Sequence, residues 1–157
     1  MNTQKNPILV IALGNDIMGD DAAGLEAARK LEKNIGSGID VFEISSAGFR
    51  LLDVMEGYRK VLLLDSVQSR SGNIGEIREL DKKELMGKYS GSPHYTGLPE
   101  IIELASRLDI SFPEELKALV IEINNDGIIR EGLSPAIEEK IPMFAGKASD
   151  ILRNWQN

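Results

Sequence analysis

The sequence predicts an α/β fold, a three-layer α/β/α arrangement around a mainly parallel, twisted sheet of about five strands. Two observations carry the prediction. Ile8–Leu13, Val61–Leu64 and Leu119–Ile123 are nearly unbroken apolar runs rich in branched residues. Such runs read as strands buried on both faces, in the middle of a sheet flanked by helices. Between them lie segments whose apolar residues recur at helical spacing. Strand and helix therefore alternate, as a parallel sheet requires.

Taken in order, Ile8–Leu13 is the first strand and ends at Gly14-Asn15. Residues 21 to 33 follow as a helix, because Ala23, Ala27, Leu31 and Ile35 mark one stripe. Its small residues Ala22, Ala23, Gly24, Ala27 and Ala28 allow close approach to the sheet. Asp40 to Ile44 reads as a shorter strand, and Phe49, Leu52, Val54 and Met55 as a short helix after Ala47-Gly48. Val61–Leu64 ends in Asp65-Ser66, and Gly72 to Leu80 suits an edge strand. Leu98, Ile101, Ile102, Ala105 and Leu108 form a helical stripe with Thr96-Gly97 as its N-cap region and Pro99 in its first turn. Leu119–Ile123 runs into the turn cluster Asn124-Asn125-Asp126-Gly127. Ser134-Pro135 opens a last helix with the stripe Ile137, Ile141, Phe144, Ala148, Leu152 and Trp155. Pro142 falls inside it and predicts a kink or break.

Bulk properties bound the function. The 157 residues contain no linker-like or repeated segment, so one domain over 1–157 is expected. A net charge of −7 argues against a nucleic-acid binder, which presents basic stripes to phosphate. The absence of cysteine removes disulfides, thiolate-bound zinc and a thiol nucleophile, and fits a reducing compartment. No signal peptide or membrane span is apparent, so a cytoplasmic protein is expected.

Chemistry in open α/β sheets collects beyond the carboxyl ends of the strands. The first strand opens there into Gly14-Asn15-Asp16-Ile17-Met18-Gly19-Asp20-Asp21, and the third apolar element of that edge ends in Asp65-Ser66. Asp20 reads as a helix cap. Asp65, at the end of an apolar strand, needs a cation, a metal or donors. His94 is the chain's single histidine and lies in the turn Ser92-Pro93-His94-Tyr95 before a helix. Asp21, Asp65 and His94 make an oxygen, oxygen, nitrogen set suited to a divalent ion such as zinc or nickel. The loop after the first strand lacks the Gly-Lys-Ser/Thr of a phosphate loop and the Gly-x-Gly of a dinucleotide fingerprint. Ser66 has no nucleophile-elbow context.

The segment Ile8 to Leu25, with Gly14-Asn15, a short apolar stretch and Asp20-Asp21 before a small-residue helix, resembles the N-terminal signature of the hydrogenase maturation proteases. Ala47-Gly48, the strand ending in Asp65, Ser92-Pro93-His94 and Gly132-Leu133-Ser134-Pro135 follow in that family's order, so the resemblance spans essentially the whole chain. Glu122-Ile123-Asn124-Asn125 departs from the Gln-Pro pair common there. The resemblance implies a cytoplasmic aspartyl-type endopeptidase, a monomer, that removes the C-terminal extension from the precursor large subunit of a nickel-containing hydrogenase. It implies that Asp21, Asp65 and His94 engage nickel carried by the precursor, for which zinc can substitute, and that they serve catalysis. Read without the resemblance, the chain leaves two alternatives open. One is a phospho-receiver-like domain and the other a non-catalytic divalent-metal-binding domain.

Overall fold

The computed structural model describes residues 6–45, 49–87, 95 and 98–157. Among them, five strands form one sheet: β1 (Ile8–Leu13), β2 (Ile39–Ile44), β3 (Lys60–Gln68), β4 (Ile77–Leu80) and β5 (Glu115–Ile123). The spatial order is β2-β1-β3-β5-β4. All neighbours are parallel except β4, which pairs with β5 antiparallel at the edge. The predicted edge strand is thus shorter than Gly72 to Leu80, because Gly72 and Gly75 adopt positive φ and hold the preceding stretch in turns.

The helices are α1 (Ala23–Glu32), α2 (Phe49–Met55), α3 (Lys82–Met86), α4 (Leu98–Arg107) and α5 (Pro135–Gln156). Strand alternation divides the core into two layers. Ile8, Val10, Leu62, Leu64, Leu119 and Ile121 pack against α1 and α5. Leu9, Ile11, Leu63, Leu116, Ala118 and Val120 pack against α2, α3 and α4. The α/β/α sandwich read from the sequence is therefore the architecture found. α3 is an element the sequence reading lacked; Asp81 and Glu84 start it with a reciprocal capping box.

Two local differences bear on the site. β3 does not end at Asp65 but continues to Gln68, paired to β5 as far as Gln68 with Ile123. Its ladder with β1 stops earlier, at Ala12 with Leu64. Asp65 and Ser66 therefore lie beyond the β1–β3 ladder while still held by β5. The predicted helix over 21 to 33 is split: Gly19–Ala22 is a 3₁₀ turn and the α-helix begins at Ala23. At the other end of the chain, α5 runs unbroken through Pro142. Pro142 lies on the exposed side, as does Glu138, whose carbonyl loses its donor to water. The buried stripe Ile137, Ile141, Phe144 and Ala145 holds both halves on the sheet.

Candidate active site

The loop between β1 and α1 is built to fold back on the sheet. Gly14 has φ +155°, and a side chain there would run into the carbonyl of Asp21. The Asn15 side chain accepts from the Ile17 N–H at 3.1 Å, and the Asn15 carbonyl accepts from the Met18 N–H at 3.1 Å. Gly24 then lets α1 settle over the ends of β1 and β3. A Cβ at Gly24 would stand 2.6 Å from the Leu64 carbonyl oxygen and 2.9 Å from that of Leu13. These two glycine contacts bring Asp21 to the end of the β1–β3 ladder.

There it meets β3. Ser66 is buried, and its hydroxyl donates to Asp21 Oδ1 at 3.3 Å while its backbone N–H donates to Asp65 Oδ1 at 2.8 Å. Asp65 is 0% exposed. Alternation places Asp65 with Leu63 and Val67 on the α2–α4 side of the sheet, and Ser66 with Leu64 on the α1 side. The adjacency of Asp21 and Asp65 expected from the sequence thus takes a specific form. The two carboxylates approach through one intervening serine rather than across a common face.

Charged groups fix the surrounding loops. Arg29 of α1 donates to both oxygens of Asp16 at 2.8 Å, to Glu43 of β2 at 2.7 Å and to Glu26 at 3.0 Å. The hydrogen bonds from Arg29 hold the Asp16 carboxyl below its usual range, and Asp16 and Glu43 hold the guanidinium well above its own. Asp20 does not cap its own helix. It accepts from the Ser134 N–H at 2.7 Å and from the Ser134 hydroxyl at 2.8 Å, so it anchors the residue that precedes α5. A parallel bridge supports the same junction: Gly19 N–H donates to the Arg130 carbonyl and Arg130 N–H to the Ile17 carbonyl, both at 2.9 Å.

His94 lies outside the described residues, as do Ser46, Ala47 and Gly48 of the turn after β2 and the Thr96-Gly97 cap region. Among the described residues, no three His, Asp or Glu side chains gather as a metal site. Tyr95 is described; it is buried in the cluster on the α2–α4 face, with Val67 and Leu98, the face on which Asp65 lies. Ser66 is the site residue that sequence reasoning missed, having been weighed only as a nucleophile. Its signal was positional: a polar residue directly after a buried strand aspartate must occupy the opposite face, toward α1 and its acidic pair.

The site sits at the carboxyl edge of the parallel strands, where the chain, having gone from β1 to β2, returns to the other side of β1 with β3. Ligands bind at such a switch point in open α/β sheets. Fold and site together define a small α/β protein with acidic groups gathered at that edge. The family model described as HycI, hydrogenase maturation protease, matches residues 25–151. The hydrogenase 2 maturation protease of Escherichia coli is 27% identical over 134 residues, covering 83% of this chain and 77% of its own. The hydrogenase maturating endopeptidase HybD from E. coli superposes with a TM-score of 0.81 at 23% identity, over 94% of this chain and 92% of that one. The NiFe hydrogenase maturation protease HybD from Thermococcus kodakarensis gives a TM-score of 0.69 at 27% identity, over 92% and 97% of the two chains.

The chain belongs to the hydrogenase maturation protease family, and it is a peptidase. This sets aside the receiver-like and non-catalytic metal-binding alternatives. No helix among the described residues is long and apolar enough to cross a membrane.

Proposed function

We propose that this peptidase removes the C-terminal extension of a nickel-loaded hydrogenase large-subunit precursor, reading the bound nickel through Asp21, Asp65 and His94. The observation that carries the proposal is the fully buried Asp65 carboxylate, tied through Ser66 to Asp21 at the switch point of the sheet. A carboxylate is kept so far from water only when donors or a cation compensate it. The Ser66 N–H is one such donor. On binding, nickel presented by the precursor is met by the carboxylates of Asp65 and Asp21, and His94, which precedes Tyr95 in the sequence, adds a nitrogen ligand.

Two roles follow for the chain's own groups. Asp21, half-buried at the loop, takes a proton from water as general base, or it fixes the precursor so that nickel polarises the scissile carbonyl. In either case the Ser66 hydroxyl holds Asp21 through Oδ1. The nickel is cargo of the substrate, and zinc in its place would satisfy the same oxygen and nitrogen donors.

The test is incubation of the enzyme with nickel-loaded and nickel-free precursor large subunits, followed by mass measurement. Loss of the extension from the loaded form alone is expected. Equal trimming of both forms would remove nickel from recognition, and trimming of neither would overturn the assignment of substrate.

A further inference from the structure

Beside the site, the segment after β5 turns at Gly127 and from Ile128 runs exposed and paired on one side only. Through Arg130 it bonds to Ile17 and Gly19 in a parallel bridge. At a β-bridge the residue preceding the bridged one turns its backbone groups the other way. Ile129 does so: among the described residues neither its N–H nor its carbonyl has a backbone partner. The side chains on this strip are apolar and open to solvent, with Ile17 48%, Ile128 54% and Ile129 72% exposed. Glu131 follows at a bend of the chain, exposed and, among the described residues, without an ion pair, whereas Asp126 and Arg130 pair with each other at 2.8 Å.

We propose that Ile128–Glu131 is a docking edge for an extended segment of the substrate polypeptide, one that adds apolar side chains over Ile128 and Ile129 and a cationic side chain to Glu131. Strand addition uses such a free edge for main-chain hydrogen bonds and alternate side-chain contacts for selectivity. The unpaired Glu131 carboxylate and the net charge of −7 favour a basic rather than an acidic occupant. The edge is continuous with the acidic site, since the Gly19 N–H that holds Arg130 opens the 3₁₀ turn containing Asp21. A cavity of about 260 Å³ between this segment and Asp20 gives Ile128 room for a neighbouring side chain.

The inference rests on the substrate reading above, in which a polypeptide is presented at Asp21 and Asp65. Its experiment is the steady-state trimming of nickel-loaded precursor by wild type, by Ile128→Ser/Ile129→Ser and by Glu131→Lys, with amide exchange at Ile129 measured with and without precursor. Both variants should keep the wild-type melting temperature, because the altered side chains are exposed. KM should rise about tenfold in the isoleucine variant, with kcat within about twofold. It should also rise in Glu131→Lys, and precursor should slow exchange at Ile129. Wild type that trims normally while both variants keep its KM, or an Ile129 amide that stays unprotected, would overturn the docking edge and leave the substrate reading intact. A KM change confined to the isoleucine variant would overturn the cationic contact. Wild type that neither binds nor trims the precursor would overturn both readings.

Discussion

Replacing Gly24 by Ala tests the packing on which the site depends. Helix propensity alone favours the change, by up to about 1 kcal/mol. The structure opposes it. A Cβ would enter 2.6 Å from the Leu64 carbonyl oxygen and 2.9 Å from that of Leu13, both backbone atoms of central strands, where ordinary contact starts at 3.4 Å. The helix must retreat by several tenths of an ångström, and overpacking of this kind costs about 1–3 kcal/mol. We expect net destabilisation of about 1–2 kcal/mol, read as a melting temperature lower by about 3–6 °C. The same retreat carries away the 3₁₀ turn of Asp21, whose contact with Ser66, at 3.3 Å, has little room to lengthen. Trimming activity should therefore fall by more than the small unfolded fraction explains. Thermal unfolding and precursor-processing assays on the purified variant measure the two effects. A raised melting temperature with undiminished trimming would refute the close approach of α1 to the strand ends.

Three further outcomes follow. Asp65→Asn keeps an acceptor for the Ser66 N–H, so it should fold normally, as should Asp21→Ala and His94→Ala; each should abolish trimming in a mass-based assay, and normal trimming by any of them removes that residue from the mechanism. Ser134→Ala deletes the hydroxyl that donates to Asp20 and should cost about 1 kcal/mol, seen as a shift in denaturation midpoint that Ser134→Thr largely restores. Burial, and then the hydrogen bond to Asp40, push the Tyr58 hydroxyl above its ordinary range. The folded protein therefore holds this proton after the unfolded chain has released it at about pH 10, and stability should decline as pH rises beyond that point. Denaturation across pH 8–11 should show the decline in wild type and a shallower one in Tyr58→Phe.

The strands at the centre of this fold were legible because burial on both faces leaves an uninterrupted apolar signature, as in Ile8–Leu13 and Val61–Leu64. Their order was not. Nothing local to Asp65 says that β3 lies beside β1, and the end of Val61–Leu64 was misjudged because Asp65 and Ser66 look like a strand terminus. They continue the strand because β5 pairs with them to its own end. The 3₁₀ turn at Gly19–Ala22 was hidden for a related reason: Asp20 is a good helix cap in isolation, but its oxygens are taken by Ser134, distant in sequence. Pro142 misled in the opposite sense, since tertiary burial of the α5 stripe outweighs the loss of one solvent-side hydrogen bond.

Strand alternation constrains the proposed chemistry more tightly than the residue types do. Asp65 belongs to the α2–α4 side and Ser66 to the α1 side, so Asp21 cannot join Asp65 by lying over the sheet. A ligand that touches both must sit past the end of β1, in the gap where β3 runs on beside β5 alone. That gap exists only because the β1–β3 ladder stops at Ala12 while β3 continues beside β5, and because Gly14 turns the chain out of the way. On the proposed function, a substrate reaching it arrives from beyond the sheet edge, on the side bounded by the β1–α1 loop and the segment bridged to it through Arg130. The length difference between two neighbouring strands is thus what sets Asp65 and Ser66 beyond the β1–β3 ladder, at the edge where Asp21 meets them.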